Sequence, residues 1–215
     1  MTALLLARAH YPVLALGPGV RAGIWTQGCT IACAGCMSRD TWNADPATAT
    51  PVPAVLAWLS SLPDPLDGVT ISGGEPFEQP AALGELLDGI LAWRGERPID
   101  VLVYSGRPLS RLTREQRSRD ILARCDAVIA GPYVERRNTG LRWRGSSNQS
   151  IVTLSPLGHR RYADADSPPE APRLQVCVDG DRVHYIGIPR RGDLELLADR
   201  LSDAGVQSDA TSWRP

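Results

Sequence analysis

Hydrophobic positions recur along this chain with two periods. Over Pro53–Leu62, the residues Val55, Leu56, Leu59 and Leu62 fall three or four apart, as one face of a helix requires. The same spacing over Ala81–Trp93 sets Leu83, Leu86, Leu87, Ile90 and Leu91 on one stripe. Thr113–Arg124 reads as a third helix, with Thr113 as its N-cap. Between and around these helices lie short apolar runs that end on glycine or turn residues. They are Gly23–Gln27, Val69–Ser72 before Gly73-Gly74, Asp100–Tyr104 before Ser105-Gly106, and Ala127–Ala130 before Gly131-Pro132. Such runs are buried strands, and their alternation with helices predicts βαβ units around a parallel sheet. In sheets of this kind ligands collect at the carboxyl ends of the strands, which is where the unusual residues of this chain fall.

The pattern changes near residue 150. Ser155–Pro172 is rich in Pro, Asp and Arg and predicts a loop. Arg173–Val178 and Arg182–Ile188 then flank Asp179-Gly180, a strong hairpin signal, and Asp193–Ala204 has the periodicity of an amphipathic helix. The expected organisation is an α/β core over residues 1–152, a linker over 153–172 and a small β-hairpin plus helix appendage over 173–215.

With 43% hydrophobic and 22% charged residues in 215, the composition is that of an ordinary globular protein. A net charge of −1 gives no reason to expect a nucleic-acid or membrane partner. No apolar run approaches the about 18 residues of a membrane span. Met1–Leu16 lacks the basic opening and small-residue cleavage site of a secretory signal, so a cytoplasmic protein is expected. All 23 basic residues are arginine, which excludes a lysine Schiff base.

Three of the five cysteines sit within eight residues, in Gly28-Cys29-Thr30-Ile31-Ala32-Cys33-Ala34-Gly35-Cys36. An odd count without an export signal argues against a disulfide framework. Three thiolates at this spacing suit three irons of a cubane cluster and leave the fourth iron open for chemistry. The competing reading is a zinc site in a non-catalytic metal-binding module. It needs a fourth ligand from His10, His159, His184, Cys125 or Cys177, none of them near in sequence. Cys125 and Cys177 read as core thiols. Ser72-Gly73-Gly74-Glu75-Pro76, about forty residues downstream at a strand end, strengthens the cluster reading, because two glycines allow a ligand close to the backbone.

These two motifs, in this order, resemble the radical S-adenosylmethionine superfamily. The likeness is to its glycyl-radical activating enzymes, of the anaerobic ribonucleotide reductase-activating type. Gly17-Pro18-Gly19-Val20-Arg21, Thr41-Trp42, Val101–Leu112, Gly131–Val134 and Trp143–Gln149 extend it over about residues 11–150. The resemblance implies a partial, open (β/α) barrel whose [4Fe–4S] cluster is ligated by Cys29, Cys33 and Cys36. It implies S-adenosylmethionine bound by Ser72, Gly73, Gly74 and Glu75 at its methionine end and by the backbone around Gly35, Cys36 and Met37 near its adenine. Ser105, Gly106 and Arg144 are further candidates for the same ligand. An electron from a flavodoxin or ferredoxin would cleave the ligand to a 5′-deoxyadenosyl radical, whose target would be a protein partner, a glycyl-radical enzyme. The same chemistry acting directly on a small molecule or peptide is the alternative. Arg136, Arg137 and Arg142 are equally explained as a solvated face, and Trp25 and Trp42, which bracket the cysteine loop, as core packing.

Overall fold

The computed structural model describes residues 2–168, 174–180, 182–206, 211 and 212. Its centre is a seven-stranded sheet in the order β3-β1-β2-β4-β5-β6-β7. The strands are β1 (Ala3–Val13), β2 (Arg21–Thr26), β3 (Ala49–Pro51), β4 (Gly68–Gly73), β5 (Asp100–Ser105), β6 (Ala127–Ala130) and β7 (Ser150–Thr153). The four inner strands β2, β4, β5 and β6 run parallel, while β1, β3 and β7 are antiparallel additions at the two edges. The parallel core is the one the apolar runs predicted. The antiparallel strands β1, β3 and β7 are not among the strands the sequence predicts. Most of β1 is only half-buried, and its pairing with β2 shifts register twice, so no clean period of two marks it.

Helices α1 (Val52–Ser60), α2 (Pro80–Arg94), α3 (Leu109–Leu112) and α4 (Gln116–Leu122) cover one face of the sheet. The strands alternate as the pleat demands. Ala22, Ile24, Val69, Ile71, Val101 and Val103 point into the helical layer with Val55, Leu59, Leu83, Leu86, Leu87 and Ile90. At about 1.5–3 kcal/mol for each large side chain fully buried, this layer is the main source of stability. The helix expected over 113–124 is present as the shorter α4, and Thr113 is not its N-cap. Thr113 closes α3, its hydroxyl donating back to the Leu109 carbonyl at 3.0 Å, and α4 starts after Glu115, which pairs with Arg107 and Arg111.

The loop expected over 155–172 is also corrected in part. Ser155 caps α5 (Pro156–Arg161), accepting the Gly158 amide at 3.0 Å, and the following Tyr162 is buried. Leu157 is the one large aliphatic residue in this helix, so no periodicity announces it. Residues 169–172 of that segment, and Arg173 at the start of the expected strand, lie outside the described residues. Beyond them β8 (Leu174–Asp179) and β9 (Arg182–Gly187) form the expected antiparallel hairpin, followed by α6 (Asp193–Asp203).

The hairpin lies over the sheet face that the helices leave open. Ile186 is buried against Val13, Leu16 and Trp25. The Gln175 side chain accepts the Leu14 amide at 2.9 Å and donates to the Pro12 carbonyl at 2.7 Å. Its outer face carries Val176 and Val178, 57% and 72% exposed, so the hairpin is apolar on both sides. No helix among the described residues is long and apolar enough to cross a membrane.

Candidate functional site

The cysteine loop grows out of the carboxyl end of β2. Its base is tied shut: the Gly28 amide donates to the Thr41 carbonyl at 2.8 Å, and the Cys29 amide to the Trp42 carbonyl at 2.9 Å. The Gln27 amide group spans the same closure, donating to the carbonyls of Asp40 and Asn43. Within the loop Gly28, Ala32 and Gly35 have φ of 99°, 49° and 73°, so the chain reverses hand near each cysteine. The three thiols are free and half-buried, and the Ser38 amide donates to Cys36 Sγ at 3.4 Å.

Burial pushes the Cys29 and Cys33 thiols above their ordinary pKa, and the nearby Glu75 carboxylate adds to the effect at both. Backbone amides oppose it, those of Ile31 and Ala32 at Cys29 and that of Tyr133 at Cys33. Without metal these sulfurs hold their protons; a bound cation displaces them and meets thiolates already supplied with hydrogen-bond donors. Among the described residues, no three His, Cys, Asp or Glu side chains are drawn together around one point as the ligands of a single ion are. A cubane asks for something different, since each thiolate holds a separate iron.

The end of β4 meets this loop. The amides of Gly74 and Glu75 donate to the carbonyls of Thr26 and Gly28, each at 2.8 Å. A Cβ on Gly73 would stand 2.4 Å from the Thr26 nitrogen, and one on Gly74 would stand 2.2 Å from the Gly28 oxygen. The glycine pair is therefore demanded by the crossing of two backbones.

Glu75 turns inward and is fully buried, accepting Ser105 Oγ at 2.9 Å and the amides of Gly106 and Phe77 at 2.8 and 3.1 Å. Desolvation raises its pKa against these bonds. Ser105 and Gly106 thus hold Glu75, and none of these three residues lines the adjoining cavity. Arg144 is not brought to the site: its guanidinium bonds Asp166 and the Ala165 carbonyl.

A cavity of about 740 Å³ lies between the sheet and the hairpin. Gly35, Cys36 and Met37 line it from the cysteine loop, and Ser72 and Gly73 from β4. Trp25 and Tyr104 add aromatic surface from β2 and β5. The opposite wall carries Cys177, His184 and Ile186. Cys177 Sγ lies 3.2 Å from His10 Nε2, so this cysteine, expected in the core, faces the cavity beside an imidazole. The sequence singled out the loop and β4 but not this second wall, because the hairpin's alternation gives no sign of which surface it covers.

The profile of the 4Fe-4S single cluster domain family matches residues 15–152. The chain belongs to this radical S-adenosylmethionine family. Its cofactors are a [4Fe–4S] cluster and S-adenosylmethionine, and its relatives are activating enzymes. It is 30% identical to the anaerobic ribonucleoside-triphosphate reductase-activating protein of Vibrio cholerae over 148 residues, 66% of this chain and 94% of that protein. The protein of the same name from Escherichia coli K12 is 29% identical over 67% of this chain and 96% of its own length. That of phage T4 is 28% identical over 63% and 85% respectively. Nearly the whole of each cellular relative is matched, while about a third of this chain is not.

The residues fit such cofactors. Soft thiolates suit iron, the three cysteines are free of disulfides, and a cavity with both polar and apolar lining adjoins both motifs. When bound, the cluster supplies the electron that breaks a carbon–sulfur bond of S-adenosylmethionine to give a carbon radical. This chain's residues contribute position and shelter. The Gly73 crossing holds the β4 end against the loop, and Trp25, Tyr104 and Ile186 contribute apolar surface to the cavity wall.

Proposed function

We propose that this chain is an activating enzyme that installs a glycyl radical on a partner protein related to anaerobic ribonucleotide reductase. In this reading Cys29, Cys33 and Cys36 hold the cluster, Gly35–Met37 and Ser72–Glu75 hold S-adenosylmethionine, and a flavodoxin or ferredoxin supplies the electron. The observation that carries it is the meeting of both motifs on one cavity wall, in a chain that matches nearly the full length of relatives named as reductase activators. The exposed residues Thr30, Ala32, Ala34 and Gly35 leave the loop approachable from solvent, as an electron donor requires.

One observation favours a second reading, direct action on a small molecule or a peptide. The hairpin beyond the matched core walls the cavity, and a walled cavity suits a substrate smaller than a folded surface.

The test is anaerobic. Protein reconstituted with iron and sulfide, reduced with dithionite and given S-adenosylmethionine should yield 5′-deoxyadenosine, and Cys33→Ala should yield none. Adding the candidate reductase should then give the doublet of a glycyl radical by electron paramagnetic resonance. A chain that cleaves S-adenosylmethionine but leaves every glycyl-radical enzyme of its host unlabelled would move the assignment to the second reading. A chain that takes up zinc and no cluster would end both.

A further inference from the structure

The family match ends at residue 152, yet Ser212, far beyond it, is bonded to the chain that leaves the cysteine loop. Its hydroxyl donates to the Met37 carbonyl at 2.9 Å, across 175 positions of sequence. Its carbonyl accepts the Arg39 amide at 3.0 Å. One residue thus grips the backbone on both sides of Ser38.

Backbone polar groups need partners, and the neighbours of this stretch find theirs within the core. Before it, the Cys36 amide donates to the Cys33 carbonyl at 3.1 Å, and the Ser38 amide to Cys36 Sγ at 3.4 Å. After it, the Thr41 amide and hydroxyl donate to the Ser38 carbonyl at 3.1 and 2.7 Å, while Gln27 holds the carbonyls of Asp40 and Asn43. The Met37 carbonyl and the Arg39 amide have no such support: among the described residues, Ser212 is the hydrogen-bond partner of both. The same stretch is cavity wall. Met37, Ser38 and Ser212 all line the space of about 740 Å³, so Ser212 borders that space without filling it.

We propose that Ser212 is a positioning residue for S-adenosylmethionine: by holding the Met37 carbonyl and the Arg39 amide it fixes the cavity wall that follows Cys36, and so tightens binding of the ligand. The proposal rests on the reading of Gly35–Met37 as part of the ligand's seat. A wall already held in place spares the ligand the entropy of ordering it, and that saving appears as affinity.

The experiment uses the full chain as Ser212→Ala, with Ser212→Thr as the variant that keeps the hydroxyl. Binding of S-adenosylmethionine to anaerobically reconstituted, unreduced protein is measured by calorimetry, beside iron content. We expect the Kd to rise about three- to tenfold in Ser212→Ala, the scale of one hydrogen bond, at unchanged iron content, and to recover in Ser212→Thr. A wild-type Kd in Ser212→Ala, or a raised Kd that Ser212→Thr does not recover, would overturn the proposal.

Metal-free protein gives a second arm that needs no cluster. There amide exchange at Arg39 should quicken in Ser212→Ala and not in Ser212→Thr, and unchanged exchange would equally overturn the proposal. Met37→Trp, which crowds the same wall, separates the underlying reading from this one. If that variant binds S-adenosylmethionine as wild type does, the loop is not the ligand's seat and the reading fails, whatever Ser212 does. A weakened Met37→Trp beside a wild-type Ser212→Ala would overturn the proposal alone.

Discussion

Arg21 was noticed in the sequence as the end of Gly17-Pro18-Gly19-Val20-Arg21, a motif that leads into the cysteine loop. In the structure it lies at the far end of β2 from that loop, fully buried, with its guanidinium on both carboxylate oxygens of Asp100 at 2.8 Å and its Nε on Thr70 Oγ1 at 2.6 Å. Gly68 is glycine because a Cβ there would stand 2.2 Å from Arg21 Nη1. Burial by itself would raise the Asp100 pKa, but Arg21 and the Tyr162 hydroxyl, 2.6 Å away, hold it below the ordinary carboxylate value. Asp100→Asn leaves a cation buried without its partner and should cost about 3–5 kcal/mol in denaturant unfolding of the metal-free protein. A depressed carboxylate stabilises above its unfolded pKa and loses that contribution as pH falls through the folded one. The gap between wild type and variant should therefore be full above about pH 4 and should close in more acidic solution.

Among the elements, α2 shows how much a strong period decides. The structure begins it at Pro80 and ends it at Arg94, within a residue of the expected bounds, and Leu83, Leu86, Leu87 and Ile90 are all fully buried. Gly84, on the same helix, has nothing within 4 Å of its Cβ direction, so it serves no contact. Gly84→Ala should stabilise the protein by about 0.4–1 kcal/mol, read as a higher melting temperature with unchanged cluster content. The elements that escaped sequence reading are those whose partners are remote. β1 is half-buried and irregular, and α5 is held by the Ser155 cap and by the bonds of Arg161 to Asp67 and Asp100. Neither carries a local pattern strong enough to declare itself.

At the scale of the molecule, the hairpin turns an open sheet face into a bounded cavity. Two strands alone are marginal in water, so β8 and β9 depend on what they cover. Among the described residues, the covering contacts include Ile186 in its apolar pocket, Gln175 on the chain around Pro12 and Leu14, and Cys177 against His10. Ile186→Asp should release the hairpin while leaving the seven-stranded sheet folded. Amide exchange over residues 174–187 should rise about tenfold or more, equivalent to ~1.4 kcal/mol, with exchange in β4 and β5 unchanged. Exchange rising equally in β4 and β5 would mean that the hairpin and sheet fold as one unit. The same variant separates the two functional readings, since a released wall should spare a large protein substrate and penalise a small one.

The parallel core, the cysteine loop and the glycine pair at the end of β4 were legible in the sequence because each rests on local rules. Those rules are the helical and strand periods, the spacing of soft ligands and the glycine that a close approach demands. The roles of Glu75, Ser105, Gly106 and Arg144 were not legible. Whether a polar side chain faces a ligand or props up its neighbour depends on which other strand ends arrive beside it, and β5 arrives so that Ser105 and Gly106 meet Glu75 first. The second wall of the cavity belongs with these. It joins Cys177 to His10, 167 positions apart along the chain, by the hairpin, and such a pair is set by packing alone.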